Sequence, residues 1–152
     1  MRLGDALSPD DKLKYVRKSL VPGRILHLHC NFTSPPKDKF VVLASIKPAL
    51  VIFVINSEIN PWLQARADLR DRQVTIGQQG HIYLKRDSFL NCTEAVRQMQ
   101  LEDIERQLSE DTGNIKDMIT ASEQEAILYA VKDCRTLSKK EIQWITEAIS
   151  TP

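Results

Sequence analysis

Three short apolar runs between residues 22 and 57 dominate the pattern of hydrophobic and polar positions. The first, residues 24–30, mixes apolar residues with two histidines, whereas residues 40–45 and 50–55 are almost continuously apolar. Each run has the length of a strand, and the breaks contain Gly or Pro, which interrupt a sheet ladder. The pattern predicts three consecutive antiparallel strands, and the two continuous runs predict strands that are covered on both faces.

The connection between the first two strands is polar and rich in proline. It runs from Asn31 to Asp38 and is too polar and too rich in proline to be a plain hairpin turn. We expect it to project from the sheet with Lys37 and Lys39 at its far end. Because loops on a rigid scaffold carry many binding and catalytic residues, this projection is the first candidate for a functional site.

Helix and turn signals predict the remaining elements. Ser8 followed by Pro9 and two acidic residues predicts the start of an N-terminal helix, preceded by a loose tail. Residues 73–76 alternate as a half-buried strand does, and residues 81–84 and 88–92 predict a further strand region after a glycine turn. From residue 93 onward, an apolar stripe at helical spacing and two capping boxes, which begin at Thr120 and Ser138, predict helices.

Composition narrows the class of protein. The chain has 152 residues, 42% of them hydrophobic, and a formal net charge of +1, which is typical of one globular domain that is not broadly basic. A nucleic-acid site would therefore be a local patch. Its three cysteines are widely spaced, so neither a disulfide framework nor a zinc site is indicated, and a cytoplasmic location is expected. Apolar runs are too short to span a membrane, and we expect no membrane association.

Two histidines in the first strand are candidates for acid–base chemistry. His27 and His29 project to the same side, because side chains in a strand alternate. Imidazoles titrate near neutral pH, as a site that cleaves RNA requires. The alternative, that both lie on the solvent face of an edge strand, is favoured, and no third ligand is spaced to complete a metal site with them.

Arginines near Trp62 form a second candidate. Three arginines are interleaved with Asp68 and Asp71, namely Arg66, Arg70 and Arg72. Local salt bridges are the favoured interpretation. Arginine beside an exposed tryptophan is also typical of surfaces that bind single-stranded RNA.

The order of these segments resembles PemK/MazF-family toxins. Gly23, a strand, the segment Asn31-Phe32-Thr33, a basic loop and the run Lys39 to Ser45 follow the family's order of glycine, strand, Pro-Phe-Thr, loop and Arg-Pro-Ala-Leu-Val-Leu-Ser. Residues 82–92 resemble the family's later strand, in which a basic residue is followed by Asp-Ser, apolar residues and Asp-Cys.

The resemblance implies a small SH3-like antiparallel β-barrel. With the N-terminal helix and the C-terminal helical region that the residue patterns predict, we expect an α+β fold whose helical region is more extended than is usual in the family. We expect a single domain over residues 1–152. Its parts are an N-terminal tail and helix in residues 1–20, the barrel core in residues 21–92 and helices packed on the barrel in residues 93–152.

The resemblance also implies an activity. Members of the family are toxins that cleave single-stranded RNA without metal or another cofactor. They usually form homodimers, and an antitoxin protein neutralises them by lying in the substrate groove. The family's arginine falls on Lys39, and its Ser or Thr at the end of the third strand falls on Asn56 or Ser57. Lys39 and Ser57 are therefore the candidate catalytic residues.

Other basic and polar residues are candidates for binding RNA, namely Lys37, Asn56, Arg66, Arg70 and Arg86. Lysine is a departure from the family, because it is a point charge where arginine is a planar fork that holds two phosphate oxygens. Three alternatives stay open. They are an active endoribonuclease, a catalytically reduced barrel that binds nucleic acid or peptide, and a protein-interaction domain unrelated to toxins.

Overall fold

The computed structural model describes residues 7–150 and is an α+β structure. The loose tail predicted before Ser8 lies outside the described residues, apart from Leu7. The strands are β1 (Arg24–Cys30), β2 (Lys37–Ser45), β3 (Val51–Asn56), β4 (Gln73–Ile76), β5 (Ser88–Asn91) and β6 (Ile115–Met118). The helices are α1 (Pro9–Ser19), α2 (Pro61–Gln64), α3 (Ala67–Arg70), α4 (Leu101–Glu110), α5 (Ala121–Val131) and α6 (Lys139–Ser150), with a 3₁₀ turn at Thr112–Asn114.

The six strands form one antiparallel sheet in the order β4-β5-β3-β2-β1-β6. The prediction of three consecutive antiparallel strands is confirmed by the pairing of β1 with β2 and of β2 with β3. Both predicted capping boxes are also confirmed. The Thr120 hydroxyl accepts from the backbone N–H of Glu123 while the Glu123 carboxylate accepts from that of Thr120, and Ser138 and Glu141 do the same at α6.

Helices cover both faces of the central strands, as the continuous apolar runs predict. On one face, Val42 and Phe53 pack in a cluster with Ile127 of α5 and Ile145 of α6. On the other face, side chains of β1 to β3 pack with α1 and α4. The residues of this second cluster include Leu26, Leu28, Val41, Leu43, Ile52, Val16, Ile104 and Leu108. Apolar burial on two faces therefore fixes the middle of the sheet.

Three sequence predictions were wrong in detail. Lys37 and Lys39 do not lie at the far end of a projecting loop, because β2 begins at Lys37 and both residues pair with β1. Residues 81–84 form turns rather than a strand. The sixth strand, Ile115–Met118, lies where only helices were predicted, and it pairs with β1.

A buried histidine links the two edges of the sheet. His81 follows β4 at one edge and is 1% exposed, while Asp117 lies in β6 at the other edge. The Nδ1 atom of His81 is 2.9 Å from an Asp117 oxygen, and its Nε2 atom is 2.8 Å from an oxygen of Glu123 in α5. This bridge holds the sheet in a curled half-barrel. Since carboxylates only accept hydrogen bonds, a ring bound to one at each nitrogen carries both protons and a positive charge.

The pKa of His81 reflects this environment. Burial of the ring lowers the pKa, but hydrogen bonds and charges from Glu123 and Asp117 outweigh it and raise the pKa above its ordinary value of 6.5. Tyr83 extends the network, since its hydroxyl donates to Asp117 at 2.7 Å. The charged histidine is therefore part of the folded state.

An amide side chain covers the part of β1 that β6 does not reach. β6 pairs with β1 only at Arg24 and Leu26. Beyond them, the Gln107 side chain of α4 accepts from the backbone N–H of His29 at 2.8 Å and donates to its carbonyl at 3.1 Å. Gln107 thus makes the two hydrogen bonds that a further strand residue would make.

The lengths and polarity of the helices bear on the expectation that no segment spans a membrane. Over residues 7–150, none of the helices combines the length and apolar character needed to cross a membrane. The predicted C-terminal helical region is present as α4, α5 and α6, although residues 96–100 of the apolar stripe precede α4.

The His81 bridge predicts a pH-dependent stability. The pKa of His81 is higher in the folded than in the unfolded chain, so its contribution is complete below about pH 6.5 and is lost as pH rises through the raised pKa. We expect His81→Gln to lower the free energy of unfolding by about 3 kcal/mol near pH 6 and by less at alkaline pH. Urea denaturation across the pH range measures both.

A matched variant tests whether His81 is the source of the pH dependence. His29→Gln changes an exposed ring that is bound only to the exposed Asp38 among side chains. It should leave the free energy of unfolding near pH 6 almost unchanged, because an exposed ion pair contributes little to stability. If His81→Gln kept the pH dependence of the unmodified chain, the charged histidine would not be its source.

Candidate functional site

An open groove of about 940 Å³ lies at the ends of β2 and β3. Strand residues Lys37, Lys39 and Asn56 form one wall, and residues 60–63 of α2 and its cap form another. The far wall comes from Asn91 and residues 93–96, with Thr136 and Glu141. Separate segments of the chain therefore meet around one concave surface, which is the usual setting of a binding site.

Lys39 and Asn56 are brought together by strand register. Val41 of β2 pairs with Val54 of β3, so positions two residues beyond them also face each other. The Lys39 Nζ atom donates to the Asn56 Oδ1 atom at 2.8 Å. An ammonium group has three donors, so this bond leaves two of them free for a ligand.

The Lys39 ammonium is electrostatically unusual. Its pKa is lowered from the ordinary 10.5 by partial burial and by the nearby charge of Lys37, which outweigh an opposite effect of Cys30. A lysine of lowered pKa donates and transfers a proton more readily than an exposed one. The site thus carries a cation that is suited to a phosphate oxygen.

Carboxylates also line the groove, but most of them form ion pairs with arginines that are not part of its lining. Glu58 forms an ion pair with Arg86 at 3.4 Å, and Glu141 forms one with Arg97 at 3.8 Å. Within the described chain, Lys37 and Lys39 have no carboxylate partner, and Glu94 has no cationic one. The groove is therefore more positive than its residue types suggest.

Trp62 lies at the rim of the groove, and the guanidinium of Arg66 lies over its ring. The Arg66 Cζ atom is 3.7 Å from the centre of the ring, and Trp62 remains 53% exposed. The predicted salt bridges are only partly present. Arg70 pairs with Asp71 at 3.6 Å, whereas Asp68 pairs with Arg135 and Arg66 pairs with no carboxylate of the described chain.

The predicted site residues separate into two groups. Lys37, Lys39 and Asn56 line the groove together. Arg66 and Arg86 lie next to it, against Trp62 and Glu58 respectively. Arg70 and Ser57 are exposed and are not part of the groove wall, so the structure places Asn56 rather than Ser57 against Lys39.

The two histidines of β1 lie away from this groove. They line a smaller cleft of about 390 Å³ beside α4. His29 is exposed and its Nδ1 atom is 2.8 Å from Asp38, while the His27 ring packs on Phe40 with 4.5 Å between ring centres. β1 is an inner strand of the sheet, which differs from the edge position considered for it. Neither imidazole faces the Lys39 ammonium group across the groove.

Thiol chemistry is not favoured near the groove. Cys30 is buried in β1, and burial raises its pKa to about 11 although the charge of Lys39 opposes this. Burial also raises the pKa of Cys92. A thiol with a raised pKa stays protonated near neutral pH and is a poor nucleophile.

Sequence reasoning missed the far wall. Thr93 donates to the Asn91 side chain, and the Thr136 hydroxyl donates to the Thr93 carbonyl at 2.6 Å. Only the Asn91-x-Thr93 spacing, which is typical of local side-chain turns, could have indicated part of it. Thr136 reaches the wall through tertiary packing, which no local pattern predicts.

The electrostatics of Lys39 lead to a direct test. We expect the pKa of Lys39 to lie below 10.5, and we expect Lys37→Ala to raise it because that change removes a like charge. Carbon-13 methylation of the lysines followed by an NMR pH titration measures this. As a control, Lys85→Ala removes an exposed lysine outside the groove and should leave the pKa of Lys39 unchanged. A Lys39 that titrates at or above 10.5 would contradict the expectation.

Known proteins give no guide to this groove. No protein-family model, no curated protein and no solved structure matches the chain. Its function is therefore argued from the residues that the fold brings together, above all Lys39, Asn56 and the surrounding charges.

Proposed function

We propose that the chain is a PemK/MazF-like endoribonuclease that binds single-stranded RNA in the groove and cleaves it without a metal ion. The observation that carries the proposal is the Lys39–Asn56 pair, which sets an ammonium of lowered pKa in a groove at the ends of two buried strands. The curled antiparallel sheet supports the SH3-like barrel that the resemblance implies.

Lys39 is proposed to stabilise the transition state. Attack by the ribose 2′-hydroxyl on the neighbouring phosphate forms the O2′–P bond and breaks the P–O5′ bond, which leaves a 2′,3′-cyclic phosphate and a 5′-hydroxyl. Water takes the 2′-hydroxyl proton and supplies the proton of the leaving 5′-oxygen. Between the two events extra negative charge lies on the phosphate oxygens. The two free donors of the Lys39 ammonium would bind those oxygens, while Asn56 fixes the direction of the third. Lys37 adds a second charge along the same wall and would hold an adjacent phosphate.

Partners of the site follow from the same proposal. An antitoxin segment with acidic residues would compete with RNA for Lys37 and Lys39, which explains how one groove serves both substrate and inhibitor. The homodimer implied by the resemblance belongs to this proposal as well.

One observation favours a second candidate function, a binding module without catalysis. His27 and His29 line a different cleft, so they do not supply the general base that removes the 2′-hydroxyl proton. In this alternative, Lys37 and Lys39 bind the phosphates of RNA, and no bond is broken.

Cleavage of RNA in the presence of EDTA distinguishes the two functions. A long RNA with structured and single-stranded regions is incubated with the protein, and the cut ends are mapped. We expect metal-independent cuts in single-stranded regions, and Lys39→Ala should reduce the rate by about 10² to 10³.

The control is Lys85→Ala, which removes the same charge outside the groove and should cut at the unmodified rate. If neither the unmodified protein nor any variant cuts, but RNA binding weakens with salt and with Lys39→Ala, the binding module is the correct function. No cutting and no binding would exclude both functions.

A further inference from the structure

We infer that Trp62 is a stacking platform for a nucleobase, so that the groove recognises single-stranded nucleic acid by its bases as well as by its phosphates. This inference rests on the proposed function and adds a subsite to it. A stacked base and a phosphate contact are separate interactions, and each has its own experimental signature.

The Trp62 backbone is held in place from both sides. Its N–H donates to the Asn60 side chain at 2.8 Å, and its carbonyl accepts from the Arg66 guanidinium at 2.6 Å. Leu63, the next residue, is 9% exposed and anchors α2 to the body of the protein. An indole on a fixed backbone loses little freedom when a ligand binds, and this favours binding.

The Trp62 ring presents a free surface although one face is covered. The Arg66 guanidinium lies over the ring at 3.7 Å from its centre, yet the residue as a whole remains 53% exposed. Contact between water and a large exposed aromatic ring is unfavourable, and a base that stacked on the ring would remove that contact. Arginine on the opposite face adds a cation close to the phosphates that flank such a base.

The charges in and beside the groove favour a nucleic acid over an apolar peptide as its ligand. Lys37 and Lys39 line the same groove as the indole, and Arg66 lies next to it on the ring. None of the three has a carboxylate partner among residues 7–150. Of the three carboxylates that line the groove, Glu58 and Glu141 are paired with arginines, and Glu94 is the one without a cationic partner in the described chain. Unpaired cations that flank an aromatic ring match the alternating phosphates and bases of a single strand.

Binding to two oligonucleotides of equal length tests the inference. One is a single-stranded oligouridylate and the other is its abasic counterpart, which keeps the phosphates but lacks bases. Fluorescence anisotropy over a salt series gives the affinities. We expect Trp62→Ala to weaken binding of the oligouridylate about tenfold or more and to leave abasic binding and the salt dependence unchanged.

Two variants act as matched controls. Trp62→Phe keeps an aromatic ring and should retain most of the affinity for the oligouridylate. Lys39→Ala should weaken both oligonucleotides alike and reduce the salt slope by about one, because it removes a phosphate contact and no base contact. Thermal unfolding of each variant verifies that the fold is intact.

A spectroscopic signal tests the contact directly. The chain has two tryptophans, so Trp144→Phe leaves Trp62 as the single indole. We expect the oligouridylate to quench its fluorescence and the abasic strand to quench it far less.

The two proposals fail in different ways. Equal binding of both oligonucleotides by the unmodified protein, or unchanged oligouridylate binding by Trp62→Ala, would overturn the stacking inference and leave the RNA groove standing. Absence of any nucleic-acid binding by the unmodified protein would overturn both.

Discussion

Burial of apolar side chains on both faces of β2 and β3 is the constraint on which the rest of the structure depends. Phe53 and Val42 need the cover of α5 and α6, and Leu43 and Ile52 need that of α1 and α4. The helices leave the strand ends uncovered. There the apolar pattern changes to Lys37, Lys39 and Asn56, and the groove forms where hydrophobic burial stops. The site is thus a direct result of where the strands cease to be apolar.

Local sequence patterns predicted what local physics controls. The three central strands and the two capping boxes depend on residue spacing within short segments, and they are present. β6 depends on pairing with β1, more than eighty positions earlier, and its own residues Ile115–Met118 show no strong alternation. His81 carries no sign in sequence that it is buried between two carboxylates.

The candidate site was predictable to the same limited extent. Lys39 and Asn56 were identified by position, and strand register explains why they meet. Their surroundings were not predictable. Pairing of Glu58 with Arg86 and of Glu141 with Arg97 joins residues that are 28 and 44 positions apart, so the net charge of the groove emerges only in the folded chain. Similarly, Arg66 was expected to pair with an acid and instead covers an indole.

The side chain of Gln107 has a consequence for solubility. A strand with unpaired backbone groups is a template onto which another chain can add, and proteins usually protect such edges with charge, proline or a bulge. Here one neutral amide occupies both the N–H and the carbonyl of His29. At His29, therefore, the free side of β1 has no unpaired backbone group to offer to a strand of another molecule, and this protection introduces no charge.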